Sequence, residues 1–463
     1  MKRVKIVATV GPSTDSEEAI EELIKAGVDV FRLNFSHGDH DTHKKTIEAI
    51  RKCSKKLSKP TAILQDISGP KIRIGQINGV LELKKGDILI LAKKKLNNDR
   101  YTVSVSHPEI VDFIKEGESV FFADGSIRTT ALKKYRDYIE LVVENEGVLS
   151  SRKGLNLPNS NIKISAITPK DERDLEFGAK EGVDVVAVSF VNSKEDILKA
   201  KEILKSYRAS PKIVAKIETK KGVENIGEIL SESDGLMVAR GDLGIEVGLE
   251  KVPVIQKRLI KKANAHAKPV IVATQMLLSM VNSPYPTRAE VSDIANALLD
   301  GADAVMLSDE TTIGKYPIKA VETLVRVILE TQGIYLYYKK YDAYNDDAIA
   351  ASVADLCKGM SPRAIISFTA SGTTAKNIAK YRPDVPIYAI TNSEDVLRWL
   401  SLVWGVEPFC VMKGVKDPET YIEKLKEIIT QKNMFEKGDK LILTMGSIIG
   451  REGSTNMIRI FEV

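Results

Sequence analysis

Four apolar runs between Lys212 and Glu310, KIVAKIE, GLMVARGDLG, PVIVATQM and ADAVMLSDE, each close on residues able to do chemistry: Lys216 with Glu218, Asp242, Thr274, and Ser308 with Glu310. Glu218 and Asp242 suit a divalent ion, Mg²⁺ or Mn²⁺, held by a few protein oxygens while substrate and water complete its shell. Either carboxylate alone reads equally well as a cap for the helix that follows. Lys216 lies two residues before Glu218, so on a strand the two side chains share one side. A cation beside a metal implies a substrate carrying several negative charges. Arg32, Asn34 and Ser36 alternate along an earlier run and Arg73 follows another. Two guanidinium forks at one mouth fit phosphate or carboxylate, although one alone more often makes a weak surface ion pair. Gly241, in ARGDL, lets backbone N–H groups come close to an anion.

Many strand ends, rather than one motif, must therefore position this chemistry. The earlier chain has the same rhythm: Val4–Val10, Val28–Phe35, Thr61–Ile67 and Val183–Phe190 are short apolar runs, each closed by a polar or turn segment. Amphipathic stretches such as Ser16–Ala26 and Lys194–Tyr207 lie between them, with capping residues near their starts. Eight strand and helix pairs from Lys5 to about Gly333 predict a (β/α)₈ TIM barrel, whose strands are buried on both faces and whose active site forms at their carboxyl ends.

From Lys71 to Pro158 the pattern turns to period two, as in LELKKGDILILA, YTVSVS and DYIELVVEN, which predicts a small all-β domain (71–158) inserted after the third strand as a lid. The barrel then comprises 1–70 and 159–338. Alternation resumes in 339–463, where RAIISFTA, PIYAITN, VEPFCVM, KLILTMG and NMIRIFEV predict a separate open-sheet α/β domain, reached through the polar segment Lys339–Asp347.

Hydrophobic residues make up 43% of the chain and charged residues 28%, and no apolar stretch approaches the roughly 18 residues that cross a bilayer. The amino terminus shows no signal-peptide pattern, so a cytoplasmic protein is expected. The net charge of +5 is small for 463 residues and its signs are interspersed, which gives nucleic acid no electrostatic footprint. Cys53, Cys357 and Cys410 are too scattered for a zinc cluster or disulfide framework. His37, His40 and His43 are spaced like metal ligands, but that spacing on a helix spreads the rings and no acidic partner is fixed beside them.

RLNFSHG at Arg32–Gly38, KIE at Lys216–Glu218, MVARGDLG at Met237–Gly244, ATQML at Ala273–Leu277, PTRAEVSDIANAL at Pro286–Leu298 and MLSDET at Met306–Thr311 follow one another as in pyruvate kinases, and the chain resembles that family along its whole length. The resemblance implies phosphoryl transfer from phosphoenolpyruvate to ADP, giving pyruvate and ATP, in a homotetramer. It implies Lys216 and Arg32 on the phosphoryl group, Glu218 and Asp242 on Mg²⁺ or Mn²⁺, and Gly241, Asp242 and Thr274 on the substrate carboxylate. Asn34, His37, Arg73 and Lys153 would face the nucleotide, and Thr274, Ser308 and Glu310 the region of the proton relay. Asn34, Ser36 and Asp66 match side chains of the family's K⁺ pocket, whose fourth position holds Ile67 in place of the usual Thr.

Two departures matter. Asp309 stands where many relatives have Gly, which puts the local turn in question. Lys71 replaces the Glu usual after Gly69-Pro70, so a tethered ammonium is expected beside Asp66 in place of K⁺, and activity is expected without K⁺. In the terminal domain Thr369, Ser371, Gly372, Thr373 and Thr374 form either a nest for a phosphorylated effector or an ordinary helix cap. The rival readings are another Mg²⁺-dependent aldolase or lyase acting on pyruvate or phosphoenolpyruvate, and a sugar-phosphate sensor without catalysis.

Overall fold

The computed structural model describes residues 1–94, 101–158, 165–341, 347–415, 417–447, 450 and 452–463. Eight parallel strands close into a barrel in chain order: β1 Lys5–Thr9, β2 Val30–Asn34, β3 Ala62–Asp66, β4 Val185–Val188, β5 Lys212–Ile217, β6 Gly235–Ala239, β7 Val270–Ala273 and β8 Ala304–Leu307. Strand β8 pairs back onto β1, with Ala304 opposite Lys5. Alternation along each strand separates two apolar layers. Val7, Val30, Leu64, Val185, Val214, Met237 and Ile271 fill the interior, while Ile6, Ile63, Val186, Ile213 and Val238 pack against the helices. Small and branched interior residues make this a filled core, so chemistry is confined to the rim.

The helices start and stop on local signals. Ser16 caps Glu17–Ala26, accepting from the Ala19 N–H, and Gly27 ends that helix at φ 127. Thr168 and Asp171 form a capping box at the start of Pro169–Glu181. Among the described residues of the inserted segment, a six-stranded sheet runs Leu155–Asn156, Ser119–Phe122, Ile127–Lys134, Tyr138–Val143, Ile88–Ala92, Thr102–Ser104, and Gly147–Ser150 pairs with Val80–Leu83. Alternate residues such as Leu89, Leu91, Ile139 and Leu141 form its core. A short helix, Ile110–Phe113, interrupts a segment read from sequence as strands and turns.

In the terminal domain the sheet order is Val406–Val411, Ile387–Thr391, Ala364–Phe368, Lys440–Gly446, Thr455–Glu462, with the last strand antiparallel. Residues 342–346, in the segment read as a link, and 159–164, where the barrel was read to resume, lie outside the described residues. The described start of that link is not free: the N–H groups of Tyr338 and Lys339 donate to the carbonyls of Arg382 and Tyr381. Arg382 itself is 1% exposed and enters the floor of the barrel, where it pairs with Asp303 at 3.0 Å and donates to Asn264 Oδ1 and the Gly301 carbonyl at 2.9 Å. Asp303 directly precedes β8, so the terminal domain is bolted to the amino-terminal face of the barrel.

Candidate active site

The carboxyl ends of β2, β3 and β5 bring four charged side chains, Arg32, Asp66, Lys216 and Glu218, into one buried ion cluster, which Ser189 after β4 joins. Lys216 Nζ, near the end of β5, donates to Asp66 Oδ1 at 3.0 Å and to Ser189 Oγ at 2.7 Å, and lies 3.2 Å from Glu218 Oε1. Arg32 on β2 donates through Nε to Asp66 Oδ2 at 2.7 Å and through Nη1 to Thr9 Oγ1 at 3.1 Å. Burial disfavours every charge here, yet the Asp66 and Glu218 carboxylates outweigh it and hold the Lys216 ammonium above its usual range. Lys216 and Arg32 likewise hold Asp66 below the carboxylate range against its burial. Glu218 goes the other way. Burial, together with repulsion from Asp242, pushes its carboxyl up despite Lys216. Glu218, only 2% exposed, and Asp242 together form a hard-oxygen donor set that fits a divalent cation.

Backbone strain places these groups. Phe190 sits at φ 54, and its N–H donates to Glu218 Oε2 at 2.8 Å. Gly69, at φ 65, packs so close that a Cβ would lie 2.9 Å from Ser189 Cβ, and its N–H donates to the buried Asp171 carboxylate. Thr274 and Gln275 follow β7 at φ 73 and 54. A β-branched residue in that region costs about 1–3 kcal/mol, which surrounding contacts must offset. Arg240 supplies them: its guanidinium donates to the Ala273 and Thr274 carbonyls at 3.1 and 2.6 Å and is held by Asp293 at 2.7 and 2.9 Å. The Thr274 side chain is thereby turned toward Gly241 near the start of the helix Arg240–Val247, with its methyl 3.9 Å from where a Gly241 Cβ would stand. Asp242 follows in the first turn.

Several expectations are corrected. Lys71 makes no ion pair with Asp66 among the described residues, because Arg32 and Lys216 already occupy both of its oxygens. Lys71 instead reaches Asp242 Oδ1 at 3.9 Å and Asp124 Oδ1 of the inserted domain at 3.6 Å. Glu310, expected in the region of the proton relay, is not displaced from it: its carboxylate, 1% exposed, accepts from the N–H groups of Leu277 at 2.9 Å and Ser308 at 2.7 Å, so it sews the loop after β7 to that after β8. Asp309 opens a short helix at negative φ, a geometry that needs no glycine. His40 does have an acidic partner, Asp174 at 2.8 Å, and the His43 Nε2–H donates to the His37 carbonyl.

Asn34 Oδ1 accepts from the Ser36 N–H, and the Ile67 carbonyl accepts from Ser189 Oγ at 2.7 Å. Arg73 and Lys153 lie exposed on paired segments of the inserted domain, with Arg73 Nη1 on the Arg152 carbonyl at 3.1 Å. Ser189 and Arg240 were missed in the sequence. Ser189 closes the apolar run of β4 in the same way as the residues that were singled out. Arg240 stands inside the quoted ARGDL but gave no sign that it would turn away from the mouth. In the terminal domain Thr369, Ser371, Thr373 and Thr374 line a cavity of about 360 Å³. Gly372, at φ 89, begins the helix Thr373–Lys380 and donates its N–H to Thr369 Oγ1.

A closed (β/α)₈ barrel with a buried lysine between carboxylates at its mouth, overhung by an inserted β domain, is an enzyme architecture built for an anionic substrate and a divalent cation. Comparison with known proteins narrows that class. Residues 1–321 match the model of the pyruvate kinase barrel domain and 347–461 that of the pyruvate kinase alpha/beta domain. Proteins named pyruvate kinase from Staphylococcus aureus strains USA300 and COL are 42% identical to it over 473 aligned residues, covering 100% of this chain and 81% of theirs. The chain belongs to the pyruvate kinase family.

Proposed function

We propose that this enzyme transfers the phosphoryl group of phosphoenolpyruvate to ADP, forming ATP and pyruvate in glycolysis. The observation that carries the reading is the Lys216 ammonium, buried and fixed between Asp66 and Glu218 at the barrel mouth. A preorganised cation in a dry site stabilises the charge that spreads over a migrating phosphoryl group and needs no reorganisation to do so. Arg32, braced by Asp66, orients that group. Thr274 and the backbone N–H groups at Gly241 and Asp242 receive the substrate carboxylate, and Thr274 and Ser308 flank the carbon that takes up the proton. Asn34, His37, Arg73 and Lys153 face the nucleotide once the inserted domain closes.

Glu218 and Asp242 would hold Mg²⁺ or Mn²⁺. Bound there, the ion supplies charge neutralisation on the phosphoryl and carboxylate oxygens. The K⁺ pocket of Asn34, Ser36, Asp66 and Ile67 is retained but dispensable, a reading supported by the two cations already on Asp66 and by the Lys71 ammonium in the same mouth. The hydroxyl-lined cavity of the terminal domain takes a phosphorylated effector. A coupled assay with phosphoenolpyruvate, ADP and Mg²⁺ tests the main claim: pyruvate formation that does not depend on ADP would favour a lyase instead.

A further inference from the structure

At the opposite end of the barrel from Lys216, the entries to β4 and β5 face the terminal domain across a second cavity, of about 420 Å³. Arg208 and Lys212 stand on its barrel side, and Ser393, Val396 and Trp399 on the other. Of its three acids, Asp184 and Asp395 are spent on arginines and Glu452 lies exposed. Asp184 takes Arg398 at 2.7 Å and Arg51 at 2.9 Å, and Asp395 is the other partner of Arg398. Its cations are less so. Lys212 makes a long ion pair with Asp234 at 3.7 Å, and the Arg208 guanidinium has no partner among the described residues.

Two further observations point the same way. Trp399 is 1% exposed and lines this cavity, yet its Nε1–H has no acceptor among the described residues. A buried donor left so costs about 1–3 kcal/mol, which an acceptor arriving in the cavity could recover. Just behind Lys212, Lys268 and Lys376 continue the positive seam. Lys376, also without a partner among the described residues, has its ammonium pushed down to about 8 by burial and then by Lys268 and Lys212, against Asp234. Lys268, Lys212 and Lys376 repel one another with Asp234 and Glu232 as the nearby acids, Glu232 being paired with Lys201, and an added anion relieves that repulsion.

We propose that this seam is a second anion site, separate from the threonine-lined nest, which takes a small phosphomonoester with its phosphate on Arg208 and Lys212 and its organic body against Val396 and Trp399. Ser371 and Glu452 line both cavities and form the partition between them. Because one wall is barrel and the other is terminal domain, occupancy draws the two together.

Calorimetric titration of the full chain with inorganic phosphate and with phenyl phosphate tests this. The nest is blocked by Thr373→Glu, and Arg208→Glu is introduced with and without it. Binding should persist in Thr373→Glu, be tighter for phenyl phosphate than for phosphate, and fall at least ten-fold when Arg208→Glu is added. Loss of all binding in Thr373→Glu alone assigns every phosphate to the nest and overturns the proposal. Equal affinity with and without Arg208→Glu overturns it too, as does a wild-type chain that binds neither probe. Binding lost in Arg208→Glu but untouched by Thr373→Glu supports this site and refutes the nest.

Discussion

Lys71 Nζ lies 3.9 Å from Asp242 Oδ1, so the ammonium that distinguishes this chain stands against a candidate metal ligand and leaves Asp66 to Arg32 and Lys216. Activity is expected to need Mg²⁺ or Mn²⁺ but not K⁺. Lys71→Glu would set a third carboxylate beside Asp242 and Asp124 and should be weak until K⁺ is added. Assays in potassium-free and sodium-free buffer, with a tetramethylammonium salt holding ionic strength, decide it: many-fold activation of the wild type by K⁺ would refute the expectation.

Lys216→Met removes one preorganised cation from the transition state. Turnover should drop at least about 100-fold, roughly 3 kcal/mol, with a smaller effect on substrate affinity. The mutation also leaves Asp66 with Arg32 alone and Glu218 without its cation, so some loss of stability accompanies it. Steady-state kinetics on protein shown by circular dichroism to be folded separates the two effects, and near-normal turnover excludes the assigned role.

Thr373→Glu places a carboxylate at the rim of the terminal cavity. Any response of the phosphoenolpyruvate saturation curve to phosphorylated metabolites should disappear in that variant. Should a panel of sugar phosphates and nucleotides leave the wild-type curve unchanged, the threonines are only a helix cap.

Lys376 gives a stability effect whose sign is fixed. Unfolded, it takes up its proton near 10.5; folded, only near about 8. As pH falls from 10.5 to 8 the unfolded chain therefore gains protons that the folded one does not, and stability declines over that window. Lys376→Met should melt above the wild type at pH 7 in phosphate-free buffer, with the gap narrowing toward pH 10.5. A gap of constant size across that range would show that packing, not charge, is responsible.

The eight barrel strands were legible because each is a short, doubly buried run closed by a polar residue, a pattern set by local chain chemistry. Lys216, Glu218, Asp242 and Thr274 were legible for the same reason. The roles of Arg240, Glu310 and Lys71 were not, since each depends on which way a long side chain turns once distant loops meet. Arg240 turns to the Thr274 carbonyl and Glu310 to the Leu277 N–H, partners 34 and 33 residues away. Nor does sequence period reveal that Thr274 occupies a left-handed conformation.

The Arg382 to Asp303 pair bears on how far the chain can be trimmed. The family match, divided between residues 1–321 and 347–461, invites expression of the first part as a minimal catalyst. Such a fragment would keep Asp303 under β8 without its guanidinium, and stripping one partner from a buried pair costs roughly 3–5 kcal/mol before the bared apolar floor is counted. Chimeras with relatives face the same bond: whichever parent donates the barrel, Asp303 and Arg382 must travel together or be replaced together.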